Sequence, residues 1–144
     1  MEIVTTKLLI LIRGLPGSGK SRLATELAYS LGQESWVATL EADNFFYSGK
    51  EYNFNPNQLA EAHKQCYDGC ESSFKRQVPY VIVSNTATRK WEYEKYIKLA
   101  REYDYKVQVI DVHGEWDNIH GVPEEHLKKM ESRWEPFDRK LLCR

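Results

Sequence analysis

The sequence predicts an α/β fold, a three-layer α/β/α sandwich around a mostly parallel sheet of four to five strands. Three observations carry this reading. Short apolar runs at 7–13, 36–40, 79–83 and 106–112 alternate with longer segments of helical spacing. The run at 79–83 is apolar throughout, the habit of a strand covered on both faces. At 144 residues the chain is long enough for one substantial core and too short for two, so a single domain over 1–144 is expected.

The elements follow in order. Lys7 to Arg13 is the first strand, and Lys20 to Leu31 the first helix, with Leu23, Leu27 and Leu31 on one face and Gly32 as its stop. Trp36 to Leu40 is the second strand and delivers Glu41-Ala42-Asp43-Asn44 at its carboxyl end. Neither period continues through the aromatic loop from Phe45 to Asn55. Pro56 suits the first turn of a second helix running to about Lys75. Pro79 to Val83 is the third strand, followed by Ser84-Asn85-Thr86 and a helix from Lys90 to Tyr103. Lys106 to Val112 is the fourth strand, and a last helix runs from Pro123 to Trp134, before Pro136. Ligands of such sheets collect at the carboxyl ends of the strands, so the polar segments at 14–21, 43, 84–86 and 113–120 should share one rim.

Composition narrows the function. With 20 basic and 21 acidic residues the net charge is −1, so a polyanion would need a local basic cleft. Three cysteines at 66, 70 and 143 make no disulfide framework. No apolar run approaches a membrane helix and no signal-peptide layout is visible, so the chain reads as soluble and cytoplasmic. His63, Cys66 and Cys70 share a helix face without a fourth ligand, and no structural metal is expected. The oligomeric state is left open.

The strongest signal is Gly14-Leu15-Pro16-Gly17-Ser18-Gly19-Lys20-Ser21, which fits G-x-x-x-x-G-K-[ST] between a strand and a helix. Glycines let successive backbone N–H groups point at phosphate oxygens, the Lys20 ammonium sits on the β/γ-phosphates, and the Ser21 hydroxyl ligates Mg²⁺. ATP and Mg²⁺ are the expected ligands, and the fold is of the P-loop NTPase type. Arg22 follows in the first helical turn, where a cation opposes the helix dipole unless an anion is bound. It is either a further phosphate contact or a solvated helix residue.

These residues, together with Ala42-Asp43-Asn44-Phe45, Ala62-His63, the segment from Val81 to Thr86 with Trp91-Glu92, and His120-Gly121-Val122-Pro123, resemble the polynucleotide-kinase-type P-loop domains. That group includes bacteriophage polynucleotide 5′-hydroxyl kinases and related animal domains. The resemblance implies that Lys20 and Ser21 hold ATP and Mg²⁺ and that Asp43 is the general base. The alternative for Asp43 is turn or cap chemistry.

The sequence departs from the pattern twice. Ser84-Asn85-Thr86 carries no acid where the resemblance often places one, and Ala87 replaces an asparagine. Asn85 and Thr86 are thus weak substrate contacts or turn formers. The stretch before Pro123 is shorter than the family's lid, and Asp117 stands where an arginine meets the transferring phosphoryl group. Such an arginine is worth on the order of 10³ in rate. Arg22 and Arg133 are the candidate replacements, and Arg89 with Lys90 would hold an acceptor phosphate. Phe45, Phe46, Tyr47, Tyr52 and Phe54 either stack acceptor bases or pin their own loop.

The expected activity is transfer of the γ-phosphoryl group of ATP to a hydroxyl, with the 5′-hydroxyl of a polynucleotide preferred. The rival readings are a kinase for a nucleoside, modified base or small metabolite, and an ATP-binding module with little or no turnover.

Overall fold

Leu8–Gly14 forms β1 and lies at the interior of the sheet, which is why its side chains are buried almost throughout. The computed structural model describes residues 6–32, 34–114 and 121–143. Strand β2 is Val37–Leu40, a two-stranded hairpin pairs β3 (Tyr47–Ser48) with β4 (Glu51–Tyr52), and the later strands are β5 (Tyr80–Asn85) and β6 (Lys106–Val112). The helices are α1 (Lys20–Leu31), α2 (Leu59–Lys75), α3 (Lys90–Glu102) and α4 (Glu124–Ser132).

The main sheet has four strands in the order β2-β5-β1-β6, and every neighbouring pair is parallel. Alternation along β1 and β5 splits the core in two. Leu9, Leu11, Val81 and Val83 face α2 and α3, while Ile10, Ile12 and Ile82 face Ala24, Leu23 and Leu27 of α1. The expected three layers and parallel sheet are present.

Several boundaries differ from the sequence reading, each for a local reason. The loop at 45–55 contains a 3₁₀ turn, Ala42–Phe46, and the β3–β4 hairpin, which turns through Gly49 at a φ of 64°. Pro56 opens a 3₁₀ turn, Pro56–Gln58, and α2 begins only at Leu59, because the Asn55 side chain accepts from the Asn57 N–H and holds the tighter turn. Strand β5 runs two residues past the expected Val83, which places Ser84 and Asn85 in the sheet. Helix α4 ends at Ser132, short of Trp134, and contributes no fully buried residue.

Trp134 is drawn elsewhere. Arg13, the last side chain before the glycine loop, is fully buried, with its guanidinium 4.5 Å from the Tyr93 ring centroid and 4.3 Å from that of Trp134. It donates to the carbonyls of Ala87, Thr88 and Glu135 and pairs with Asp111 at 3.2 Å. A charge this deep is tolerable only because the guanidinium's donors meet acceptors. The chain after α4 thereby straps α3: Glu135 N–H donates to Thr88 O, Lys90 pairs with Asp138 at 2.8 Å, and Phe137 packs on Tyr93.

Candidate functional site

The loop between β1 and α1 has the backbone that its composition demands. Gly17 and Gly19 hold φ values of 80° and 96°, where other residues are strained, and the Ser18 N–H closes a turn on Leu15 O at 3.0 Å. Gly14 is needed for space instead, since a Cβ there would stand 2.3 Å from Ser18 Oγ and 3.0 Å from Val112 O. Ser18 Oγ is buried without a hydrogen-bond partner. Lys20 is only 5 % exposed, and burial lowers its pKa, while the charges of Asp43 and then Glu41 oppose that shift. A buried ammonium and an orphaned hydroxyl in a glycine-lined turn fit a phosphate chain, which would satisfy both.

Asp43 lies in the 3₁₀ turn just beyond β2, with its carboxylate accepting a hydrogen bond from Tyr52 Oη at 3.1 Å. Burial first, then the Asp43 charge and its hydrogen bond, raise the Tyr52 pKa, so the phenol stays a donor. Tyr52 comes from β4, so the hairpin in the aromatic loop steadies this carboxylate. Phe46 is the loop's buried anchor, with the rings of Phe45, Tyr52 and Phe54 at 5.1–6.2 Å.

Asn85, expected as a substrate contact, has both ends of its amide occupied within the protein. Its Oδ1 accepts the Ala42 N–H at 2.9 Å and its Nδ2 lies 3.6 Å from Cys66 Sγ. It ties the end of β5 to the turn that carries Asp43. Thr86 is half-buried just past β5. Arg22 is exposed and lies 3.5 Å from Glu26 on its own helix. Asp117 and His120 lie outside the described residues. His113 is exposed, with its ring 5.3 Å from that of Trp134.

Arg89 and Arg133 line one groove of about 650 Å³ between α2 and α3, together with His63, Tyr67, Trp91 and Lys95. Trp91 is 68 % exposed there. Burial and then the Lys95 charge lower the pKa of His63, partly offset by Glu92 and Asp43, so this residue sits electrostatically between the groove and Asp43.

A second cavity, of about 240 Å³, separates α1 from the ends of β2 and β5 and is lined by Ser21, Glu41, Asn44 and Ser84. Among the described residues no cluster of three or more His, Cys, Asp or Glu is placed to hold a metal. The oxygen donors here suit Mg²⁺, which keeps several waters and takes one or two protein ligands beside nucleotide phosphates. Sequence reasoning missed Glu41, Tyr52 as a partner of Asp43, and Trp91 with Lys95 as groove residues. Glu41 had a usable signal, being a second carboxylate at the carboxyl end of the second strand.

Comparison with known proteins agrees with this architecture. The family model for the AAA domain (AAA_33) matches residues 9–121. Human NEDD4-binding protein 2 is 33% identical over 138 residues, covering 90% of this chain, which spans 8% of that protein's length. Chaetomium thermophilum Kti12, solved with ADP-AlF3, superposes with a TM-score of 0.64 at 15% identity, over 92% of this chain and 82% of that one. A chain of the Pnkp1/Rnl/Hen1 RNA repair complex gives a TM-score of 0.58 at 18% identity, over 97% and 42%. At these identities the solved structures show a shared α/β fold. Among the described residues no helix is long and apolar enough to cross a membrane.

Proposed function

The chain belongs to the AAA domain family (AAA_33), and from that membership we propose that it is an ATP- and Mg²⁺-dependent phosphotransferase acting on a hydroxyl, with the 5′-hydroxyl end of a polynucleotide as acceptor. One observation carries the reading: in the parallel sheet the Lys20 loop follows the carboxyl end of β1 and the Asp43 turn follows that of β2, and the Asp43 charge acts on the buried Lys20 ammonium.

The roles follow from chemistry. Backbone N–H groups of 14–21 and the Lys20 ammonium bind and orient the phosphates, and the Ser21 hydroxyl would hold Mg²⁺. When bound, the ion neutralises charge on the β- and γ-oxygens. Asp43 accepts the proton of the attacking hydroxyl, while Tyr52 Oη and, through Ala42, Asn85 keep its carboxylate in place. Arg89, Lys95 and Arg133 face the α2–α3 groove, where Glu92 is the one acid in the lining and Lys64 is paired with Asp68. That local excess of positive charge suits a phosphodiester chain despite the neutral protein, and Trp91 offers a surface on which a base can stack.

The test is transfer of labelled γ-phosphate from ATP to 5′-hydroxyl DNA and RNA oligomers, with nucleosides and a no-acceptor sample alongside. Label on the oligomers is the expected result. Label on nucleosides alone would move the reading to a small-molecule kinase. ATP binding with no acceptor labelled would overturn it in favour of a binding module.

A further inference from the structure

The cavity beside Ser21 contains two features that the phosphate cradle does not explain. Ser84 lines it and is 2 % exposed, and its Oγ is buried with no hydrogen-bond partner. Leaving such a hydroxyl unsatisfied is costly, so a polar group that completes it would be favoured there. Ser84 faces the α1 side because it lies two residues beyond Ile82, which packs in the α1 cluster. The second feature is Glu41. It follows the end of β2 and lines the same cavity, and its charge reaches Lys20, the neighbour of Ser21.

Among the residues that line this cavity Glu41 is the one acid, and Asp43, the proposed base, is not part of the lining. The segment ending β5 reads Ser84-Asn85-Thr86, with no acid, and the Asn85 amide is already occupied by Ala42 and Cys66. A hydroxyl from Ser21 alone would give a divalent ion no protein counter-charge, whereas Mg²⁺ ordinarily takes one or two carboxylates beside the phosphates. We propose that Glu41 supplies this carboxylate for a hydrated Mg²⁺ held on Ser21 and the nucleotide phosphates, with Ser84 Oγ completing its hydrogen bonding on the ion's water shell. The inference rests on the nucleotide-binding reading above and adds a metal-positioning residue to it.

Mn²⁺ serves as the probe, titrated by electron paramagnetic resonance into the full chain with a non-hydrolysable ATP analogue. Metal-free binding of that analogue is measured in parallel. Glu41→Gln should weaken Mn²⁺ binding about tenfold or more, with metal-free nucleotide affinity equal or tighter, because a negative charge near the phosphates is gone. Ser84→Asp in the Glu41→Gln background should restore Mn²⁺ affinity by returning a carboxylate to the same cavity. Unchanged Mn²⁺ affinity in Glu41→Gln overturns the proposal, and so does loss of metal-free nucleotide binding in that variant, which would mark a structural role. Failure of the wild type to bind nucleotide at all would instead strike the underlying reading, and the inference with it.

Discussion

Lys20 is the residue at which folding and binding conflict. Its ammonium is buried in a chain whose nearby carboxylates, Asp43 and Glu41, only partly offset the desolvation. Lys20→Met should therefore raise the unfolding free energy of the nucleotide-free protein by on the order of 1 kcal/mol. The same change should abolish the rise in melting temperature on adding ATP, which differential scanning calorimetry reads directly. His63 sets a pH dependence of known sign. Burial and Lys95 hold its folded pKa below the ordinary 6.5. Above that value the imidazole is neutral in both states and costs nothing; as pH falls below it, the unfolded chain takes up a proton that the folded one resists, and stability is lost. Urea unfolding at pH 7.5 and 5.5 should show a smaller loss for His63→Gln than for the wild type, and equal losses would contradict this.

The element that matters most for the proposed chemistry is the turn after β2 with its hairpin. It holds Asp43 by two unlike supports, the Tyr52 phenol from β4 and the Asn85 amide from β5, which reaches the Ala42 backbone. Asn85→Ala removes the second support and leaves a buried N–H unpaired, at about 1–2 kcal/mol. Its effect should fall on kcat for phosphoryl transfer more than on the KM for ATP, since the phosphate loop is separate; an unchanged kcat would show that Asp43 needs no such brace. Much of this was visible in the sequence. The Gly14–Ser21 loop, the four strands and the position of Asp43 at a strand's carboxyl end follow from short-range spacing alone. The role of Asn85 was not, because a strand that continues two residues further, through Ser84 and Asn85, has no periodic signature when those residues are polar. Nor was the hairpin, whose strands of two residues each are too short for alternation to register.

At the scale of the whole molecule, the sheet has a different role on each face. One face carries α1 and delivers the phosphate loop; the other carries α2 and α3 and the groove with Arg89, Trp91 and Arg133. The chain after α4 is tied to β1 on this second face through Arg13, whose partners lie from 74 to 122 positions away and so were invisible to any local reading. A charged residue at the end of an apolar run reads as a strand leaving the core, yet here it is the core's deepest cation. Arg13→Met and Trp134→Ala remove the same stacked contact. Their unfolding free-energy costs should fall short of additivity by about 1 kcal/mol or more in a double-mutant cycle, whereas additive costs would mean that the tail and the phosphate-loop strand are not coupled. In the proposed function Lys20 and Asp43 form one phosphotransfer site. Single-turnover transfer by Asp43→Asn tests it most directly: the rate should drop by on the order of 10²–10⁴ with ATP binding retained, and transfer at the wild-type rate would contradict it.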